Sequence, residues 1–128
     1  MEQNLKSKKI LIIEDESFIS ELYCRSLNKA GYETDTVIDG VEALEKAQTN
    51  DYDLILLDLM VPNLTGIEIL RKLKNPVITP NLKSKIIITT NLEERDDVKK
   101  DIEKQADGYI VKANLTPSEL VDFIRTIN

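Results

Sequence analysis

The chain contains no histidine and a single cysteine, Cys24. Without histidine, the commonest biological metal ligand and general base is missing, so Ser-His and Cys-His catalysis are excluded. One cysteine rules out an internal disulfide and any zinc centre built from cysteines. Apolar runs stop at four or five residues, far below the roughly 20 that cross a bilayer, and no signal-peptide pattern appears at the N-terminus. Membrane insertion is therefore not expected and a cytoplasmic location is. An excess of basic residues is also lacking: 17 Lys and Arg face 23 Asp and Glu, for a net charge of -6. That balance argues against direct nucleic-acid binding, which needs a basic footprint. Proteins or metal ions are the expected partners. There is no internal repeat and no low-complexity linker, and 128 residues suit one domain with a real core.

What is present alternates regularly. Residues 1–8 form a polar, basic arm. Ile10 to Ile13 reads as a strand buried on both faces and ends in Glu14-Asp15-Glu16. Phe18, Ile19, Leu22, Tyr23 and Leu27 then recur at helical spacing up to a stop at Gly31. Tyr32 to Val37 suits a strand nearer the sheet edge, and Asp39 with Glu42 caps a helix carrying Val41, Leu44 and Ala47. Leu54 to Leu57 is a third strand, running straight into Asp58. Thr65 and Glu68 form a capping box for a helix with Ile67, Leu70 and Leu73.

Asn75 to Ser84, with Pro76 and Pro80, is a loop, and Ile86 to Ile88 is the next buried run, ending at Thr89-Thr90. Glu93 to Gln105 is highly charged, yet Val98, Ile102 and Ala106 share one narrow stripe of a helix. Tyr109 to Val111 is a fifth strand, followed by Lys112. Thr116, Pro117 and Glu119 open a last helix that buries Leu120, Ile124 and Ile127. Five βα units predict an α/β fold: a doubly wound, five-stranded parallel sheet of order 2-1-3-4-5, flavodoxin-like (βα)5.

That order brings the ends of the first and third strands together. Glu14, Asp15, Asp58, Thr90 and Lys112 all follow or end predicted strands, where ligands of open α/β sheets gather. Three carboxylates in one crevice repel one another unless a hard cation such as Mg2+ sits among them. A hydroxyl, an ammonium and a metal around one carboxylate suit phosphoryl transfer, whose transition state spreads negative charge over three oxygens. Asp58 is the nucleophile in this reading and forms an acyl phosphate.

This set, in this order and spacing from about Lys9 to Asn128, resembles the receiver domain of two-component response regulators. The resemblance implies a receiver domain over residues 9–128. It makes Asp58 the phosphoacceptor, Asp15 a direct Mg2+ ligand (Mn2+ being the alternative ion) and Glu14 the other member of the acidic pair. The backbone carbonyl of Met60 becomes a further metal ligand, Thr90 and Lys112 contact the phosphoryl oxygens, and Thr90 and Tyr109 form the switch. The donor becomes a phosphohistidine on a sensor histidine kinase or histidine phosphotransfer protein, and a downstream protein effector reads the result. Such a chain promotes only its own phosphotransfer and dephosphorylation and is not otherwise an enzyme. It is a stand-alone regulator, a phosphorelay intermediate or an excised receiver.

The family often carries Asp-Asp where this chain has Glu14-Asp15, and Met where Val61 precedes Pro62. A proline usually follows the lysine in a cis bond, but here Ala113 follows Lys112. A non-proline cis bond costs about 2.5–4 kcal/mol, so a trans bond is expected. Met60 and Leu92 fall where receivers tune self-dephosphorylation, and neither side chain can orient a water, which implies a long-lived phosphoryl group. The runner-up is a small metal-dependent phosphohydrolase with an aspartyl-phosphate intermediate. Such enzymes commonly need a second acid two residues after the nucleophile, where this chain has Met60. A flavodoxin-like cofactor carrier is disfavoured because acid, not a Ser/Thr/Gly phosphate cradle, follows the first strand.

Overall fold

The computed structural model of the chain describes residues 8–91 and 93–127. Leu92, Asn128 and all of the expected arm except Lys8 lie outside the described residues. The elements alternate as β1 (Lys9–Ile13), α1 (Ser17–Lys29), β2 (Glu33–Val37), α2 (Gly40–Gln48), β3 (Leu54–Asp58), α3 (Gly66–Leu73), β4 (Lys85–Thr90), α4 (Asp96–Gln105), β5 (Gly108–Val111) and α5 (Pro117–Ile127). A 3-10 turn at Lys112–Asn114, not foreseen from sequence, joins β5 to α5. All strand pairs are parallel and the order is β2-β1-β3-β4-β5, as expected.

The unbroken apolar runs follow from this position in the sheet. In β1 and β3, Leu11, Ile13, Ile55 and Leu57 point to one face, where α2, α3 and α4 contribute Ala43, Ala47, Ile69, Leu70, Leu73 and Ile102. Ile10, Ile12, Leu54 and Leu56 point to the other, against Tyr23 and Leu27 of α1 and Leu120, Val121 and Ile124 of α5. Each fully buried Leu or Ile contributes about 1.5–3 kcal/mol relative to exposure, so the two central strands anchor both layers. Parallel strands covered on both faces have no solvent side to alternate toward.

The helix ends obey their caps. Asp39 accepts from the Val41 and Glu42 N–H groups. Thr65 and Glu68 form the reciprocal capping box, and Thr116 and Glu119 repeat it at 2.9 and 3.1 Å. After α1, Gly31 N–H bonds the Asn28 carbonyl and Tyr32 N–H the Leu27 carbonyl, closing the helix with a Schellman turn. Among the described residues every peptide bond is trans, Lys112–Ala113 included.

Four details differ from expectation. Phe18, expected on the buried stripe of α1, is 70% exposed, because that stripe runs through Ser20, Tyr23 and Leu27, and at about 3.6 residues per turn Phe18 falls on the opposite face. Val41 is exposed for the same reason, since the buried face of α2 runs through Gly40, Ala43 and Ala47. The fourth helix starts at Asp96 instead of Glu93, and β4 continues through Thr89 and Thr90, where they pair with Ile110 and Val111. No helix among the described residues is long and apolar enough to cross a membrane.

Candidate functional site

Among the described residues charged groups are scarce in the interior, and the two acids and one lysine buried there all sit at the carboxyl end of the sheet. Glu14 follows β1, Asp58 ends β3 and Lys112 follows β5. Register explains why they meet. Ile13 pairs with Leu57, so the next residues on those strands, Glu14 and Asp58, stand side by side. Thr90 pairs with Val111, which sets Lys112 just beyond the end of β4. The crevice lies where β1 is flanked by β2 and β3, the topological switch point.

Asp58 is 1% exposed. Its Oδ2 lies 3.1 Å from Lys112 Nζ, and its Oδ1 accepts the Met60 N–H at 3.0 Å. Lys112 Nζ also approaches Glu14 Oε1 at 2.5 Å, while Glu14 Oε2 accepts the Glu16 N–H at 3.2 Å. The ammonium therefore bridges two buried carboxylates, the condition under which buried charge is tolerable. Burial pushes Glu14 up to about 7; the Lys112 hydrogen bond opposes this and the Asp58 charge adds to it. Burial works against the Lys112 charge, but its hydrogen bond to Glu14 and the Asp58 charge outweigh burial and hold the lysine above its ordinary value.

Asp15, unlike Glu14 and Asp58, is exposed at the mouth of the crevice. Carboxylate oxygens of Glu14, Asp15 and Asp58 all lie within 4.8 Å of one another. The acids outnumber the one lysine, and an all-oxygen donor set suits Mg2+. The residues fit such an ion: Asp15 is exposed, and among the described residues the buried Glu14 Oε1 has no hydrogen-bond partner beyond the Lys112 ammonium. The loop after β3 is tight: Gly66 N–H bonds the Leu59 carbonyl at 3.0 Å, and a Cβ on Gly66 would stand 2.4 Å from the Asp58 carbonyl oxygen. Only glycine fits there. Met60, between these points, is 70% exposed at the mouth of the site.

Thr90 is buried on the same face of the sheet as Ile88, the face to which Tyr109 of the neighbouring strand also points. The Tyr109 hydroxyl accepts a hydrogen bond from the Glu94 N–H at 3.0 Å, and Lys99 Nζ lies 5.4 Å from its ring centre. Glu16, not among the residues singled out from sequence, stands at the N-cap of α1 with no capping bond, and its carboxylate is 4.0 Å from Lys112 Nζ. Its adjacency to Glu14-Asp15 was the available signal.

Comparison with known proteins identifies the family and the fold. Residues 10–125 match the response regulator receiver domain family. The response regulator ArlR of Staphylococcus saprophyticus is 43% identical over 104 residues, 81% of this chain and 45% of that protein. The alkaline phosphatase synthesis transcriptional regulatory protein PhoP of Bacillus subtilis is 37% identical over 121 residues, 94% of this chain and 48% of that protein. The chain thus spans about half the length of the curated relatives it matches. Among solved structures, the chemotaxis response regulator CheY4 of Vibrio cholerae superposes with a TM-score of 0.82 at 28% identity, covering 96% of this chain and all of that one. A CheY-like receiver domain protein of Methanospirillum hungatei gives 0.81 at 27%, covering 94% of this chain and 93% of the other.

Proposed function

Because the chain belongs to the response regulator receiver domain family of two-component signalling, we propose that it accepts a phosphoryl group on Asp58. The donor is the phosphohistidine of a sensor histidine kinase or histidine phosphotransfer protein. The observation that carries this reading is a buried carboxylate held 3.1 Å from a lysine, with two further acids within 4.8 Å, all at the switch point of the sheet.

In the transfer, an Asp58 carboxylate oxygen attacks phosphorus and the P–N bond to the donor imidazole breaks, the nitrogen leaving with the electron pair. Lys112 is placed to follow the negative charge from the carboxylate onto the phosphoryl oxygens, and the Thr90 hydroxyl offers a further donor from the end of β4. The Met60 N–H steadies the carboxylate through Oδ1. Asp15, Asp58, Glu14 and the Met60 carbonyl would hold Mg2+, which when bound supplies charge neutralisation for the transferring group. Mn2+ meets the same requirements.

Phosphorylation then biases a two-state surface, read by a downstream protein, through Thr90 and Tyr109 and the face made by α4, β5 and α5. Residues 9–128 act as this receiver domain. The absence of nucleic-acid binding is proposed for the receiver alone, since the PhoP relative, of which the chain covers 48%, is named a transcriptional regulatory protein.

Incubation with phosphoramidate or acetyl phosphate and Mg2+, read by intact mass, tests the assignment. One phosphoryl adduct is expected, absent without the cation and absent in Asp58→Ala. An adduct undiminished in Asp58→Ala would refute it.

A further inference from the structure

The loop between β3 and α3 carries Met60, whose main chain touches Asp58, yet its far side is held by an element outside the crevice. Asn63 adopts a left-handed backbone, φ 74, a conformation that asparagine tolerates better than most residues. Its Nδ2 donates to Asp39 Oδ2 at 2.7 Å. The other carboxylate oxygen of Asp39 accepts from Val41 N–H at 2.6 Å and Glu42 N–H at 3.4 Å, capping α2. One residue on, Gly40 N–H bonds the Pro62 carbonyl at 2.9 Å. A Cβ on Gly40 would stand 2.5 Å from the Leu64 carbonyl oxygen and 2.6 Å from Leu64 Cβ, so the start of α2 is pressed directly onto the loop.

Two adjacent residues, Pro62 and Asn63, are thereby tied to two adjacent residues, Asp39 and Gly40. At the other end the Gly66 N–H to Leu59 carbonyl bond closes the loop on its own strand. Met60 and Val61 lie between the two ties, and Val61 is buried. With both ends fixed, the main chain at Met60 has little freedom to leave Asp58.

We propose that Asp39 and Asn63 are positioning residues for the cation site, their side-chain pair holding the loop so that the Met60 main chain meets Asp58 and the metal. This rests on the functional reading above and adds to it residues that touch neither the ion nor the phosphoryl group. Asp39 divides its oxygens between two tasks, and the two can be separated. Asparagine is as good an N-cap as aspartate, so Asp39→Asn keeps an acceptor for α2 while turning an amide toward the Asn63 amide. Asn63→Asp alone sets two carboxylates against each other, and asparagine and aspartate both tolerate positive φ. The double substitution restores one donor and one acceptor with reversed polarity and unchanged net charge.

The experiment is calorimetric Mg2+ titration of the full 128-residue chain and its variants, with urea unfolding in chelator alongside. Each single substitution is expected to weaken Mg2+ binding by about tenfold, the usual scale for groups that orient metal ligands from behind. The double variant should return to within about twofold of wild type, the signature of a coupled pair. Metal-free unfolding of Asp39→Asn should stay close to wild type, since the cap is kept. Unchanged affinity in both singles, or a double variant as weak as the singles, overturns the proposal. If wild type binds Mg2+ no better than Asp58→Asn and takes up no phosphoryl group, the functional reading itself fails, a result distinct from either.

Discussion

The Tyr109 hydroxyl accepts the Glu94 N–H at 3.0 Å, which ties the fifth strand to the segment between β4 and α4. A side-chain bond to a loop amide is a local contact, so its removal should act locally. Tyr109→Phe should lower stability by no more than about 0.5–1.5 kcal/mol. It should also release protection of the Glu94 amide, measured by hydrogen exchange. An amide equally protected in the variant would show that the hydroxyl does not hold this segment.

Lys112 answers two buried carboxylates, at 2.5 Å to Glu14 and 3.1 Å to Asp58. Removing one partner of such a set leaves uncompensated buried charge. Lys112→Met should lose about 3–5 kcal/mol in urea unfolding at neutral pH in chelator. Millimolar Mg2+ should stabilise this variant more than wild type, because the ion then carries the whole compensation. Adduct formation should slow by about 10²-fold, the scale of losing one transition-state donor.

At the opposite end of the sheet, Tyr52 donates to Asp35 Oδ2 at 2.7 Å. That bond, helped by the Lys9 charge, holds Asp35 below the ordinary carboxylate value of 3.8. Burial, with Asp35 adding to it, pushes the Tyr52 hydroxyl above its ordinary 10.0. A carboxylate lowered in the folded state adds stability above its unfolded value, and that gain is lost as pH falls through the folded value. A phenol raised in the folded state adds stability below its unfolded value, and the gain is lost as pH rises through the folded one. Tyr52→Phe should therefore be less stable by a constant margin from about pH 5 to 9, with the gap closing below about pH 4 and above about pH 10. Unfolding of both chains across that range checks both ends of the window.

Met60 stands exposed beside Asp58 and cannot orient a water by hydrogen bonding. Replacing Met60 by Asn together with Leu92 by Glu should shorten the lifetime of the phosphoryl adduct by about tenfold, as an oriented nucleophile replaces a disordered one. Decay of the adduct followed by intact mass gives the rate directly. An unchanged lifetime in the double variant would sink the idea.

Much of this protein was legible in its residues because local physics carried it. Runs such as Ile10 to Ile13 and Leu54 to Leu57 announced strands covered on both faces, and five alternating units leave few topologies. The Thr65-Glu68 and Thr116-Glu119 pairs marked helix starts through bonds that span only three residues. The polar residues at strand ends pointed to one crevice. Hydrophobic spacing did less well at Phe18 and Val41, since the faces that α1 and α2 bury also carry the small residues Ser20, Gly40 and Ala43, which apolar spacing does not count.

The sequence alone thus determined the order of elements, the doubly wound sheet and the set of residues at its carboxyl end, each of them a consequence of periodicity, capping and chain connectivity. The tertiary structure alone decided that Lys112 bridges Glu14 and Asp58, that Glu16 reaches the same site, and that Asn63 is clasped by Asp39. Those contacts join residues on separate elements through strand register and loop closure, and no spacing along the chain encodes an angle or a distance between them.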